Sequence, residues 1–229
     1  MIHKLFSMMA LALMITAGAA AQGNVDTKDY DWARYGCYAS DNAKLQKRPL
    51  VVLMGDSITE GWARQDGDWL KANNFLGRGI SGQTTCEMLA RFRQDVIDLK
   101  PRYVAILAGI NDLARNNGKI EPENIYGNII SMVELARANK VKPVICSILP
   151  ANKIGWRKFL GNPTPQILEI NAKLQAYAKA HKIPYVDYYG AMVTGEDGAL
   201  NPDYALDAVH PNLEGYHVME RVLLQTVRF

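Results

Sequence analysis

Ser57 follows the apolar run Val51-Val52-Leu53-Met54 by three positions, with Gly55 and Asp56 between. A serine at the carboxyl end of a buried strand, opening a helix, sits where open α/β sheets place their ligands. Its own N–H and the next one lack intrahelical acceptors, and the helix dipole there favours negative charge. That position suits an attacking oxygen and the oxyanion it creates. It suits a plain N-cap equally well.

A nucleophilic serine needs a base. Beyond residue 21 the chain holds His181, His210 and His217. His181 stands at a helix end, as a dipole partner would. His217 lies inside the last helix, where a surface or packing role is the ordinary one. His210 sits at a loop-to-helix turn, after Asp207-Ala208-Val209 and before Pro211. That spacing lets the Asp207 carboxylate reach Nδ1 and leaves Nε2 for the serine. Gly82 lacks a Cβ and can turn its N–H toward a developing oxyanion. The Asn111 side-chain amide is a further donor. The plain alternatives are a helix-entry turn for Gly82 and a turn or cap for Asn111.

These residues need elements to position them. Strands are expected at 50–54, from 75, at 102–108, at 143–149 and at 183–187. Helices are expected at about 85–99, 122–139, 166–182 and 212–227. Met88, Phe92, Val96 and Leu99 recur with a helical period, as do Ile125, Ile129 and Val133. Residues 22–48 read as a short helix across the domain, with Trp32, Tyr35 and Tyr38 packed into the core. Strand and helix alternate, and the strands are almost continuously apolar. Such a chain builds a parallel sheet covered on both faces. Ser57, Gly82 and Asn111 each follow a strand, so they share its carboxyl rim.

Gly77-Arg78-Gly79-Ile80-Ser81-Gly82 matches G-x-G-x-x-G, the dinucleotide fingerprint. It follows the second strand rather than the first. Position 102, where an acidic strand end would bind a ribose, is arginine. Dinucleotide binding is therefore disfavoured, and no cofactor is expected.

Gly-Asp-Ser-Ile-Thr at 55–59, Gly82, Gly109-x-Asn111-Asp112 and Asp207-x-x-His210 together resemble the SGNH (GDSL-type) hydrolases. The four blocks run from residue 55 to 210 in the family's order. The resemblance implies a flavodoxin-like three-layer α/β/α sandwich with a five-stranded parallel sheet, order 2-1-3-4-5. It implies Ser57 as nucleophile, His210 as base and Asp207 as the acid orienting it. It implies Ser57, Gly82 and Asn111 as oxyanion donors. The G-x-S-x-G elbow of a different hydrolase fold is absent around Ser57.

The first residues have another character. Lys4 precedes an apolar stretch, Leu5 to Ala21, ending in Ala19-Ala20-Ala21. A charged start, an apolar centre and a small-residue end make a secretory signal over residues 1–21. A single domain over 22–229 then reaches the periplasm or the exterior. No cysteine stands at the junction to take a lipid, and no stable membrane insertion is expected after cleavage. The 229-residue chain carries 26 basic and 23 acidic residues, net +3. That near-neutral balance argues against a nucleic-acid partner. Cys37, Cys86 and Cys146 are an odd set, which excludes a complete disulfide framework. No His/Asp/Cys cluster has metal-ligand spacing, so no metal is expected.

The expected activity is an exported serine esterase acting on short-chain esters, acetyl foremost, on a small molecule or glycan. Trp62, Trp156 and Arg157 are expected to contact the substrate near the rim. The competing readings are a lysophospholipase or thioesterase-type acylhydrolase, and a non-catalytic exported binding module.

Overall fold

Val51–Gly55 forms β1, and every one of its residues is buried. β-branched and apolar side chains on both faces suit a strand with helices above and below. A computed structural model describes residues 31–229, and the expectations for residues 1–21 lie outside them. β1 lies inside a parallel sheet, one strand in from its edge. Phe75–Gly79 (β2) pairs on one side and Tyr103–Ile106 (β3) on the other. Lys142–Cys146 (β4) and Tyr185–Val186 (β5) follow β3, giving the order β2-β1-β3-β4-β5. The five-stranded, three-layer α/β arrangement is the one the sequence implied.

Three helices cover one face: Thr85–Phe92 (α4), Pro122–Ala138 (α6) and Thr164–His181 (α7). The other face carries Ser57–Gln65 (α2), Gly67–Ala72 (α3), Tyr188–Met192 (α8) and Leu213–Thr226 (α9). Ile125, Ile129 and Val133 of α6 are fully or nearly fully buried, as their spacing required. Trp62 stacks between Trp69 and Tyr216, with ring centroids 6.0 and 5.7 Å apart, joining α2, α3 and α9.

Gly79 brings the first two strands close to α2. A Cβ there would fall on the Glu60 backbone nitrogen, well inside contact distance. Backbone against backbone leaves no flexible atom to move aside, so this approach admits glycine alone.

Some elements depart from the expectation. Residues 31–38 form turns, and helix α1 is short, Ala39–Ala43. Trp32 and Tyr35 are 49% and 38% exposed, so they are not core. Three-residue spacing on a turn does not aim side chains at one face as it does on a helix. Tyr38 is half-buried; its hydroxyl donates to the Gly79 carbonyl, and the Arg78 guanidinium lies 4.6 Å from its ring centre. α4 ends at Phe92 and continues as a π-helical turn, Arg93–Ile97, where Asn42 Nδ2 donates to the Gln94 carbonyl. α3, α8, the four-residue helix α5 (Ile110–Leu113) and the hairpin Val193–Thr194 with Ala199–Leu200 gave no periodic signal. They are too short to show one. Cys37, Cys86 and Cys146 are all free thiols. Burial holds the Cys146 thiol up at about 12, which keeps it protonated and inert.

Candidate active site

β1 delivers the serine. Asp56, not Ser57, caps α2: its Oδ1 accepts from the Ile58 N–H at 2.9 Å. Ser57 is the first helical residue, so its hydroxyl is released from capping. Its N–H is among the first-turn donors with no intrahelical carbonyl.

The histidine arrives on a tight turn 153 positions away. Leu206 N–H donates to the His210 carbonyl at 2.8 Å, and Ala205 bridges to Pro211. Asn212 then caps α9 by accepting from Gly215 N–H at 2.9 Å. Within the turn, the Val209 and His210 N–H groups both donate to Asp207 Oδ1 at 2.8 Å. The imidazole Nδ1 lies 2.9 Å from Asp207 Oδ2, and Nε2 lies 2.9 Å from Ser57 Oγ. An acceptor-only carboxylate on Nδ1 assigns the proton to that nitrogen. Nε2 is then an acceptor for the serine hydroxyl. Burial alone would raise the Asp207 carboxyl. The bonds from the His210 backbone and ring and from Val209 outweigh it and hold the group below the usual carboxylate range.

Gly82 and Asn111 lie at the neighbouring strand ends. Gly82 has φ +81°, a left-handed conformation that glycine adopts without strain. Its N–H finds no acceptor among the described residues. Asn111 is buried. Its Oδ1 accepts from Asn116 Nδ2 at 2.9 Å, which fixes which way the amide faces. One Nδ2 hydrogen goes to the Gln83 carbonyl at 3.0 Å. The amide has a second hydrogen left to donate. Asn116 also donates to the Gly82 carbonyl at 2.9 Å, so one side chain tethers both candidate donors.

Beneath this layer lies Arg91, fully buried. Its Nη2 donates to the carbonyls of Gly55 and Arg78, each at 3.0 Å, its Nη1 to Asp95, and its Nε to Gln83 Oε1. It therefore ties the ends of β1 and β2 to the loop carrying Gly82. Asn116, Gln83 and Arg91 were not singled out from the sequence. Arg91 lies among apolar helical positions, Met88 and Phe92, where a charge reads as a solvated edge. Asp112 closes the block Gly109-x-Asn111-Asp112. It accepts from both the hydroxyl and the N–H of Thr85. The Thr84 N–H goes to Glu87. Two carboxylates thus occupy the start of α4, where a dinucleotide would need its diphosphate.

Of the three expected substrate contacts, Trp62 is corrected. It is 2% exposed, and its Nε1 donates to Glu220 Oε1 at 3.1 Å. The helical position five residues after Ser57 turns it away from the rim, between α3 and α9. Trp156 does stand at the site: it is 40% exposed, with its ring 6.0 Å from that of His210. Its Nε1 donates to Asn116 Oδ1 at 3.2 Å. Arg157 is half-buried and donates Nε to the Ala114 carbonyl at 3.2 Å, anchoring the loop that carries Trp156.

Asp56 and Asp112 are buried carboxyls near one another. Burial raises Asp56 from 3.8 to about 6, against the Ile58 N–H, and raises Asp112 from 3.8 to about 6, against Thr85 and helped by the Asp56 charge. Each displacement corresponds to about 3 kcal/mol. Between about pH 4 and pH 6 the folded protein holds protons that the unfolded chain has released. Stability from these groups is therefore greatest at the acid side and falls as pH rises through that window. Asp56→Asn keeps the capping oxygen and is expected to flatten this slope, read as urea midpoints across the window. Parallel curves for the two proteins would refute it.

The chain matches the family described as GDSL-like Lipase/Acylhydrolase over residues 53–218. Its fold superposes on the crystal structure of a GDSL-like lipase of Bacteroides thetaiotaomicron with a TM-score of 0.82 and 49% identity, over 84% of this chain and 96% of that one. An acetylxylan esterase of Geobacillus stearothermophilus is 24% identical over 212 residues, 81% of this chain and 97% of that protein. The lipoprotein YqeF of Bacillus subtilis is 27% identical over 164 residues; the match spans 64% of this chain and 58% of YqeF. With a family match across most of its length, and with the sheet order its sequence blocks implied, the chain belongs to the GDSL-like lipase/acylhydrolase family, a family of ester hydrolases.

Proposed function

We propose that the chain is an exported esterase that removes short acyl groups, acetyl foremost, from carbohydrate through Ser57, His210 and Asp207. The observation that carries this reading is the unbroken hydrogen-bond relay from Ser57 Oγ through the imidazole to the Asp207 carboxylate. In the proposed reaction Ser57 Oγ attacks the ester carbonyl carbon while its proton passes to His210 Nε2. The tetrahedral oxyanion is held by the N–H groups of Ser57 and Gly82 and by Asn111 Nδ2. The C–O bond to the alcohol breaks, and the imidazolium returns the proton to the leaving oxygen. Water then attacks the acyl-serine, again giving a proton to Nε2, and the acid leaves with Ser57 restored. Asp207 stays ionised throughout, since its carboxyl lies below the usual range.

The acetyl preference rests on Trp156, whose ring beside His210 narrows the space for an acyl chain. Trp156 and the 76% exposed Phe159 on the same loop also offer flat apolar faces to sugar rings. The acetylxylan esterase relative is in keeping with a sugar ester. Export rests on residues 1–21, and the lipoprotein relative agrees with it.

The test compares p-nitrophenyl acetate with the octanoate, and both with acetylated xylo-oligosaccharides. The acetate is expected to exceed the octanoate in kcat/KM by more than about tenfold. The reverse order would remove the short-acyl reading.

A further inference from the structure

We propose that Asp66, His217 and Glu220 form a zinc-binding site, independent of the esterase reading and on the opposite face of α2 from the rim. Their ligand atoms all lie within 4.8 Å of one another. His217 and Glu220 are three apart on α9 and so share one face of it. Asp66 comes from the junction of α2 and α3, distant in sequence. That junction is why sequence spacing gave no metal motif.

Asp66 Oδ2 lies 3.4 Å from His217 Nε2. A tetrahedral zinc with bonds of 2.0 to 2.2 Å needs ligand atoms about 3.4 Å apart. Two carboxylates and one imidazole make a three-ligand set of the kind zinc accepts, with water in the fourth position. His217 is 43% exposed, so water can reach it.

The atoms around the ligands supply an independent argument. Metal-bound imidazoles present their second nitrogen to a carboxylate or carbonyl, which fixes the ring. His217 Nδ1 faces Glu214 Oε2 at 3.6 Å. Trp62 Nε1 holds Glu220 Oε1 at 3.1 Å, and Trp69 N–H holds Asp66 Oδ1 at 3.2 Å. Glu220 and Asp66 are therefore each held from behind by a hydrogen bond, while Glu214 flanks the imidazole beyond hydrogen-bond distance. Glu220 is 7% exposed, and no lysine or arginine among the described residues pairs with it or with Asp66. Among the described residues, His217 is the one basic side chain beside this carboxylate pair, which otherwise shares a proton; a bound cation would take that proton's place.

Zinc here would clamp α2, which starts at Ser57, to α9, which follows the His210 turn. Asp66 lies nine positions beyond Ser57, about 13 Å along a helix. The ion would brace the two elements that carry the candidate pair without touching it.

The experiment strips the whole chain with EDTA and titrates it with zinc chloride by calorimetry, with thermal midpoints in parallel. One equivalent is expected to bind and raise the midpoint. His217→Ala and Glu220→Gln are each expected to weaken binding by at least about tenfold. His217→Ala alters a half-exposed side chain and decides the matter if Glu220→Gln fails to fold. Magnesium, which prefers octahedral oxygen, is expected to give no midpoint shift. No binding, or binding unchanged in His217→Ala, overturns the proposal; the latter places the ion elsewhere, at His210 or an exposed cysteine. The esterase rate of zinc-free His217→Ala should equal that of the zinc-free parent, so loss of the site and loss of the esterase reading stay distinct.

Discussion

Ser57→Ala is expected to lower kcat on p-nitrophenyl acetate by about 10⁴-fold or more while the thermal midpoint stays close to that of the parent. The hydroxyl's hydrogen bond goes to His210, and Asp56 rather than Ser57 caps the helix, so little of the fold depends on it. The proposed chemistry depends on it wholly. Without Oγ there is no acyl-enzyme, and water must attack the ester directly. What remains is binding and whatever the oxyanion donors give to that slower route. Groups that act as one unit lose most of their effect with the first deletion. Ser57→Ala/His210→Ala should therefore be scarcely slower than Ser57→Ala alone. A Ser57→Ala rate within tenfold of the parent would instead make this chain a binding module on a hydrolase fold.

Arg91→Leu is expected to cost about 3–5 kcal/mol of folding stability, read from urea unfolding. Arg91 and Asp95 form an ion pair at 2.9 Å with neither side chain exposed. Removing the guanidinium leaves the Asp95 charge with Asn42 Nδ2 as its remaining side-chain donor among the described residues. It also strips donors from the Gly55 and Arg78 carbonyls. Since domains commonly hold 5–15 kcal/mol in total, this variant could leave little folded protein. Arg91→Lys is the second arm. It keeps the charge but cannot fork to four acceptors, so an intermediate loss is expected. Arg91→Met with Asp95→Asn should recover part of the loss, because it leaves no buried charge alone. A cost below about 1 kcal/mol for Arg91→Leu would mean that water reaches the network and that Arg91 does not brace the rim.

The apolar strand 51–54, the helical spacing of 125, 129 and 133, and the four blocks between 55 and 210 carried fold class and sheet order. Burial repeats with the period of the element, so a one-dimensional pattern records it. The blocks were legible because strand ends in a parallel sheet share one rim whatever the chain between them does. The sequence likewise placed Asp207 beside His210, since a three-residue turn is local.

Contacts between remote parts of the chain were not legible. Trp62 reads as a rim aromatic from its nearness to Ser57, yet the helix turns it onto Tyr216 and Glu220. Arg91 reads as a solvated charge. Its burial depends on four acceptors supplied by two strand ends, a loop and the following turn. Asn116 gains meaning from Gly82, Asn111 and Trp156 meeting it. Asp66 faces His217 and Glu220 because α2 and α9 pack side by side. A polar group's role is set by the partners that replace water around it. Those partners come from anywhere in the chain, so local residue type and spacing settled the scaffold and put Ser57 at a strand end, while tertiary packing alone decided what each buried polar group does.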